Sequence, residues 1–306
     1  MKFKLPEQLN FMQVGRMPQK TTTESLKGKI VVVSGATSGV GLATLWQLAK
    51  ADAHIVMVVR NKDKAEKVKM DINGKYDVNI DIFIADFSKL ADINKVANEL
   101  LDTYKQIDVL INSVGIHSTK KKYNEEGIEM CFCVNHLSVF LLTKLLLDRM
   151  IDSAPSRIIQ VNSEGHRFCS AKPKDVNFRR RLYSGLRGYG ASKTAQLLTT
   201  WDIFDELKGT GVTINAVHPG AVKSNIGGNN GFLYRWWMKH VTSKFLKDPE
   251  LSGKALYYLA AEPSLKEVSG LFFNLTNEEK PANHALNREK GKLMTKISLE
   301  MTGLIE

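Results

Sequence analysis

Tyr189 and Lys193 stand four residues apart in YGASK, within a stretch whose pattern predicts a helix over 189–208, so their side chains share one helix face. A tyrosine near its ordinary pKa of about 10 is a poor acid or base at neutral pH. A neighbouring ammonium favours the phenolate and is expected to lower that value. Such a pair is suited to giving a proton to an oxygen atom or taking one from it. Far upstream, Ser34-Gly35-Ala36-Thr37-Ser38-Gly39-Val40-Gly41 separates a short apolar run from a helical stretch at 39–51. Glycines spaced GxxxGxG let the main chain turn tightly and approach a pyrophosphate, whose charge is met by the free N–H groups at the helix N-terminus. A strand-to-helix turn that merely needs positive φ would use the same glycines. The place between strand and helix supports the first reading.

Where such a loop serves NAD, an acidic residue about 20 positions on holds the ribose 2′-hydroxyl. Here HIVMVVR puts Arg60 at that place, with no carboxylate beside it. A guanidinium suits a 2′-phosphate with its planar fork of donors, which points to NADP(H) over NAD(H). The competing reading is a surface arginine that caps the strand. Asp86, after NIDIFIA, could accept from an adenine amine or cap the next helix.

The elements that must position these residues follow one pattern. Short β-branched runs (KIVVVS, HIVMVV, NIDIFIA, IDVLI, RIIQV, VTINAV and VSGLFFN) alternate with helical stretches at 39–51, 62–72, 89–103, 124–150, 189–208 and 249–261. Continuous apolar strands separated by helices predict an α/β fold, doubly wound, with a seven-stranded parallel sheet covered on both faces. No linker or repeat interrupts the alternation, so a single domain is expected, with 1–27 an N-terminal extension and 276–306 a C-terminal helical appendix. The 306 residues, 43% hydrophobic and 25% charged, exclude disorder and collagen-like repeats. Cys131, Cys133 and Cys169 lack CxxC spacing and read as reduced structural thiols. His117, His136, His166 and His218 lack a shared metal spacing, so no metal is expected. The formal charge of +11 is scattered apart from 120–122 and 179–181, without a nucleic-acid motif. No apolar run approaches about 18 residues and the opening lacks a signal-peptide core, so a cytoplasmic protein is expected.

Several ordered motifs make residues 28–275 resemble the short-chain dehydrogenase/reductases. SGATSGVG is similar to the family's TGxxxGxG. Asn112-Ser113-Val114-Gly115 stands where NNAG is usual, Ser163 ends IIQVNS, Tyr189 and Lys193 match YxxxK, and His218-Pro219-Gly220 matches the PG motif. VNHLSVFLLTKLLL, HPGAVKS and the 26-residue spacing from Ser163 to Tyr189 resemble the retinol-dehydrogenase-like branch. The resemblance implies a Rossmann-type fold and hydride exchange with a nicotinamide cofactor, interconverting a small-molecule carbonyl and an alcohol. It makes Tyr189 the general acid, Ser163 a second donor to the same oxygen, Lys193 the holder of the nicotinamide ribose, and Asn135 the anchor of a proton-relay water. It also puts Gly35, Thr37, Ser38, Gly39, Val40, Gly41, Arg60, Asp86, Phe87, Asn112, Ser113, Val114, Gly115, Pro219, Gly220 and Val222 along the cofactor. Two departures stand out: NSVG puts a bulkier Val114 beside the expected adenosine ribose, and the loop lacks the basic residue that some NADP-dependent members carry between its glycines.

The aromatic run FLYRWWM at 232–238 follows a glycine-rich hinge and reads as a substrate lid, a peripheral membrane contact or a buried helix. The 179–181 arginines read as a solvated run bordering the pocket. A homo-oligomer is expected from the resemblance. The alternative class is a dinucleotide-binding scaffold or regulator without turnover, suggested by the NSVG departure and the charge.

Overall fold

The computed structural model describes residues 11–221 and 248–305. Val222 and the 232–238 run therefore lie outside the described residues. Strand β1 (Ile30–Ser34) is followed by helix α1 (Gly39–Lys50), β2 (His54–Val59), α2 (Lys62–Asn73), β3 (Ile80–Ile84), α3 (Leu90–Thr103), β4 (Val109–Asn112), α4 (Met130–Asp152) and β5 (Ser156–Val161). Then come α5 (Gly185–Glu206), β6 (Val212–His218), α6 (Pro249–Ala261), β7 (Phe272–Asn274), β8 (Asn277–Glu278) and α7 (Arg288–Thr302).

The β-branched runs form one sheet of order β3-β2-β1-β4-β5-β6-β7-β8, parallel through β7. Its reversal of direction between β1 and β4 opens a crevice at the carboxyl ends of those strands, where such sheets bind ligands. The two-residue β8 pairs antiparallel with β7 and adds an eighth edge strand to the seven read from the sequence. Two apolar clusters lie on the two faces. Leu45, Leu48, Ile72 and Leu256 from α1, α2 and α6 cover one, and Ile93, Leu100, Leu141 and Leu198 from α3, α4 and α5 cover the other. Each fully buried aliphatic side chain contributes about 1.5–3 kcal/mol over an exposed one, so these faces hold the crevice rigid.

Two helix starts differ from the pattern for local reasons. The stretch expected as helix from residue 124 first makes a turn, in which Asn124 Oδ1 accepts from the N–H groups of Glu126 and Ile128 at 3.1 and 2.9 Å. The carboxylate of Glu129 then caps α4 by accepting from Cys131 and Phe132. Helix α5 starts four residues before Tyr189, at Gly185, because Ser184 Oγ accepts from Arg187 N–H at 3.2 Å. By length and apolar composition α4 could cross a bilayer, which no single apolar run announced, yet 83% of its apolar stretch is buried inside the protein. Its residues Cys133–Leu137 form a π-helical turn.

The chain ends are sewn together. Lys20 N–H donates to Thr276 Oγ1 at 2.8 Å, and Thr276 Oγ1 donates to Gln19 Oε1 at 2.8 Å. Helix α7 lies on α5, where Gly291 leaves room for Leu198 O and Ser298 Oγ meets His136 Nε2 at 2.8 Å.

Candidate active site

A cavity of about 890 Å³ fills the crevice at the β1/β4 reversal. Gly35, Thr37, Ser38, Gly39, Val40 and Gly41 line it at one side, Arg60 at the end of β2, Asp86 and Phe87 after β3, and Ser113, Val114 and Gly115 after β4. Ser163, Tyr189, Lys193, Pro219 and Gly220 line its other part. Two of the expected residues do not reach it. Asn112 turns under the sheet, its Nδ2 donating to Thr143 Oγ1 at 3.0 Å, and Asn135 is wholly buried behind the wall. The physical reason for Asn112 is its position as the last residue of β4, with its side chain directed into the core face.

The glycine turn fits a dinucleotide on the molecule's own geometry. Gly35 has φ +71°, and a Cβ there would stand 2.7 Å from Val114 Cα, so only glycine lets the NSVG segment lie against the turn. Ser38, the residue before α1, makes no side-chain cap, so the first N–H groups of that helix have no side-chain acceptor there. Uncapped N–H groups at a helix N-terminus, on a cavity wall, match a pyrophosphate. Ser113 Oγ is buried with no hydrogen-bond partner, a further polar atom to be met at the ribose end. Asp86 Oδ1 accepts from Ser88 N–H and Oγ at 2.9 and 2.8 Å, so this carboxylate braces the turn before α3 while also lining the cavity.

The second part of the cavity is assembled by three elements. Strand β5 delivers Ser163, whose Oγ accepts from Gly165 N–H at 3.1 Å. Helix α5 delivers Tyr189 and Lys193 one turn apart. The Tyr189 ring lies so close to Gly165 that a Cβ there would be 2.8 Å from Tyr189 Cε1 and 3.4 Å from Ser163 Oγ, so the ring and the serine stand on the same side of that glycine. The π-turn of α4 delivers Asn135, whose Nδ2 donates to Ile116 O at 2.9 Å and to Ser192 Oγ at 3.0 Å, while Oδ1 accepts from Ile116 N–H at 2.7 Å. Asn135 therefore clamps the strand-end loop after β4 onto α5.

Lys193 corrects the expectation about the tyrosine. Its Nζ donates to Val161 O at 2.8 Å and to Gln196 Oε1 at 3.3 Å, on a buried polar chain continued by Asn162, whose Nδ2 donates to Gln196 Oε1 at 2.8 Å. With the ammonium turned onto these carbonyls, burial governs both groups. It pushes Tyr189 up to about 12, against the opposing pull of the nearby Ser163 hydroxyl, and Lys193 down to about 7. The expected lowering of the tyrosine by its neighbour is not what this arrangement produces. Burial also holds Cys131 and Cys133 up at about 12, which leaves both thiols protonated and inert. Among the described residues no three His, Cys, Asp or Glu side chains gather as a metal site.

Sequence reasoning missed Asn61, Lys64, His117 and Lys122, which also line the cavity. The cap at Asn61, which accepts from Lys64 N–H at 2.8 Å, was readable from RNKDK before a helical stretch. His117 sits edge-on to the Tyr189 ring at 5.6 Å, a contact across 72 residues that no local pattern announces.

Comparison with known proteins agrees with this geometry. The family described as short chain dehydrogenase matches residues 29–231. Human retinol dehydrogenase 13 is 33% identical over 300 residues, covering 96% of this chain and 90% of that protein. Mouse retinol dehydrogenase 14 is 32% identical over 294 residues, covering 92% and 88%. Among solved structures, an uncharacterised protein from Mycobacterium paratuberculosis superposes with TM-score 0.75 at 24% identity, covering 94% of this chain and 98% of that one. A short chain dehydrogenase from Shigella flexneri complexed with NADP has TM-score 0.67 at 19% identity, covering 83% and 99%. With the glycine turn, the serine, and the tyrosine–lysine pair on one cavity, the chain belongs to the short-chain dehydrogenase/reductase family of oxidoreductases, on its retinol-dehydrogenase-like side.

Proposed function

We propose that the protein is an NADP(H)-dependent oxidoreductase that interconverts an apolar aldehyde or ketone and its alcohol, with Tyr189 as general acid and base. The observation that carries this reading is that Tyr189 and Ser163 stand side by side at Gly165 on the wall of the cavity whose far end holds the glycine turn and Arg60. The bound nicotinamide would supply or accept the hydride. In reduction, Tyr189 donates its proton to the carbonyl oxygen, and Ser163 donates a hydrogen bond to the same oxygen as negative charge develops there. Donors fixed in advance stabilise that charge more than they stabilise the ground state. A tyrosine held near 12 stays protonated at neutral pH and ready to donate. In oxidation its phenolate is needed, and Lys193, one helical turn away on the same cavity wall, would meet the nicotinamide ribose. Asn135, behind the wall, supports the site by clamping the loop after β4 to the helix that carries Tyr189.

Arg60 supports NADP(H), since it is exposed at the end of β2 with no carboxylate beside it on the strand. The NADP in the Shigella relative and the apolar alcohol in the names of the retinol dehydrogenases support the cofactor and the substrate class. The experiment is incubation with NADPH or NADP⁺ and a panel of apolar aldehydes, ketones, retinoids and steroids or their alcohols, followed at the nicotinamide absorbance band. Turnover of at least one apolar pair is expected. Tight cofactor binding with no turnover across the panel would favour the scaffold reading instead.

A further inference from the structure

We propose that His166 is a positioning residue for Ser163, tying the serine's carbonyl to the C-terminal segment at Ala282. Ser163 caps the short turn Glu164–Phe168, and its carbonyl accepts twice from His166, from N–H at 3.1 Å and from Nδ1 at 2.7 Å. A carbonyl can only accept, so Nδ1 carries the proton. Nε2 is then the lone-pair nitrogen, and it accepts from Ala282 N–H at 3.1 Å. A neutral imidazole has one donor and one acceptor, and both are spent on this bridge. Burial keeps the ring's pKa down near 3, so the bridge keeps its tautomer across the working pH range.

The neighbouring bonds grip the same turn. Arg167 donates to Glu279 Oε1 at 2.7 Å and to Lys280 O at 2.9 Å, and it pairs with Glu164. His284 Nε2 donates to His166 O at 2.8 Å. Thr194, beside Lys193, donates from Oγ1 to Cys169 O at 2.7 Å and so ties the turn to the helix that carries the tyrosine. A segment more than 100 residues later in the chain thus grips the turn that carries the serine. The direction of Ser163 Oγ follows its main chain, and small displacements of a donor from a reacting oxygen cost rate steeply. This assignment rests on the carbonyl chemistry proposed above, which gives Ser163 a rate to lose.

Three variants separate positioning from general support. His166→Gln keeps an acceptor near Nε2 and loses the Nδ1 donor, whereas His166→Asn keeps a donor near Nδ1. Ala282→Pro removes the N–H at a residue whose φ of −58° proline adopts, without touching the active site. The expected kcat is about tenfold lower in His166→Gln, about threefold lower in Ala282→Pro and within about threefold of wild type in His166→Asn, with Tm and the Kd for NADPH unchanged. None of these losses should add to that of Ser163→Ala, because each acts through the serine. Faster hydrogen exchange at residues 163–168 is expected in His166→Gln and Ala282→Pro, and this is read without turnover. A wild-type protein that reduces nothing would therefore overturn the carbonyl reading, while exchange still judges the tie. Wild-type kcat and exchange in both of these variants, or losses that add fully to Ser163→Ala, would overturn the proposal. Should His166→Gln fail to fold, Ala282→Pro decides.

Discussion

The two ends of the cavity each hold a cation, and the two cations are placed in opposite ways. Arg60 lies exposed at the end of β2, beside exposed Asn61 and Lys64. Lys193 is 2% exposed and bonded to Val161 O and Gln196, within a set of buried amides. An exposed guanidinium keeps its hydration, and its pull on a phosphate is screened by salt. A buried ammonium has lost its water, which is why Lys193 falls to about 7 and why its partners are carbonyl oxygens. The comparison assigns affinity to the open end and rate to the closed one. Substitutions that mixed these effects would break it.

The largest effect is expected at the closed end. Lys193→Met keeps most of the apolar stem and removes the ammonium, so kcat should fall by about 100-fold or more, with NADPH weakened by less than about tenfold. Steady-state kinetics beside cofactor titration read both numbers, and a loss confined to affinity would remove the distinction between the ends. At the open end, Arg60→Ala should weaken NADPH by about 10- to 100-fold and leave NADH nearly unchanged. One charge-assisted bond contributes about 1.5–3 kcal/mol, at roughly 1.4 kcal/mol per tenfold. Isothermal titration with both cofactors tests this, and equal losses for the two would give Arg60 a structural role only.

A smaller effect concerns the buried pair behind Ser163. Glu164 and Glu279 share the guanidinium of Arg167, and burial pushes Glu164 up from 4.5 to about 7. An acid with a raised folded pKa favours the fold while protonated, and that contribution is lost as pH rises from about 4.5 through about 7. The buried histidines His166 and His218, held down near 3 and 4, act in the opposite sense below their ordinary pKa. Comparing Glu164→Gln with wild type cancels them. The variant should gain on wild type by about 1–3 kcal/mol between pH 5 and pH 8 in denaturant titrations, and a flat difference would show that Glu164 is ionised throughout.

Much of this was readable beforehand because it is local. The glycine turn, the β-branched runs and the YxxxK spacing each depend on a few neighbouring residues, and the structure brings Gly35, Ser163, Tyr189 and Lys193 to one cavity. What could not be read depends on distance and desolvation. No pattern near Lys193 says that its ammonium turns onto Val161 O, and none near His166 announces Ala282, 116 positions away. The π-turn that buries Asn135 behind the wall arises where α4 must meet both the loop at Ile116 and the helix carrying Ser192. The tyrosine's pKa failed to follow its i+4 neighbour for the same reason: spacing shows which groups are adjacent, whereas burial decides which charge survives.

Tyr189→Phe removes one hydroxyl and nothing else from the wall of the cavity, which makes it the most direct measurement. NADPH affinity should stay within about threefold of wild type, because the hydroxyl is not among the groups that hold the dinucleotide's phosphates. Turnover of the best apolar carbonyl substrate should fall by about 1,000-fold or more, since the proton and the oriented donor go together. A variant that bound NADPH normally and kept near-wild-type turnover would contradict the assignment of Tyr189 as the acid.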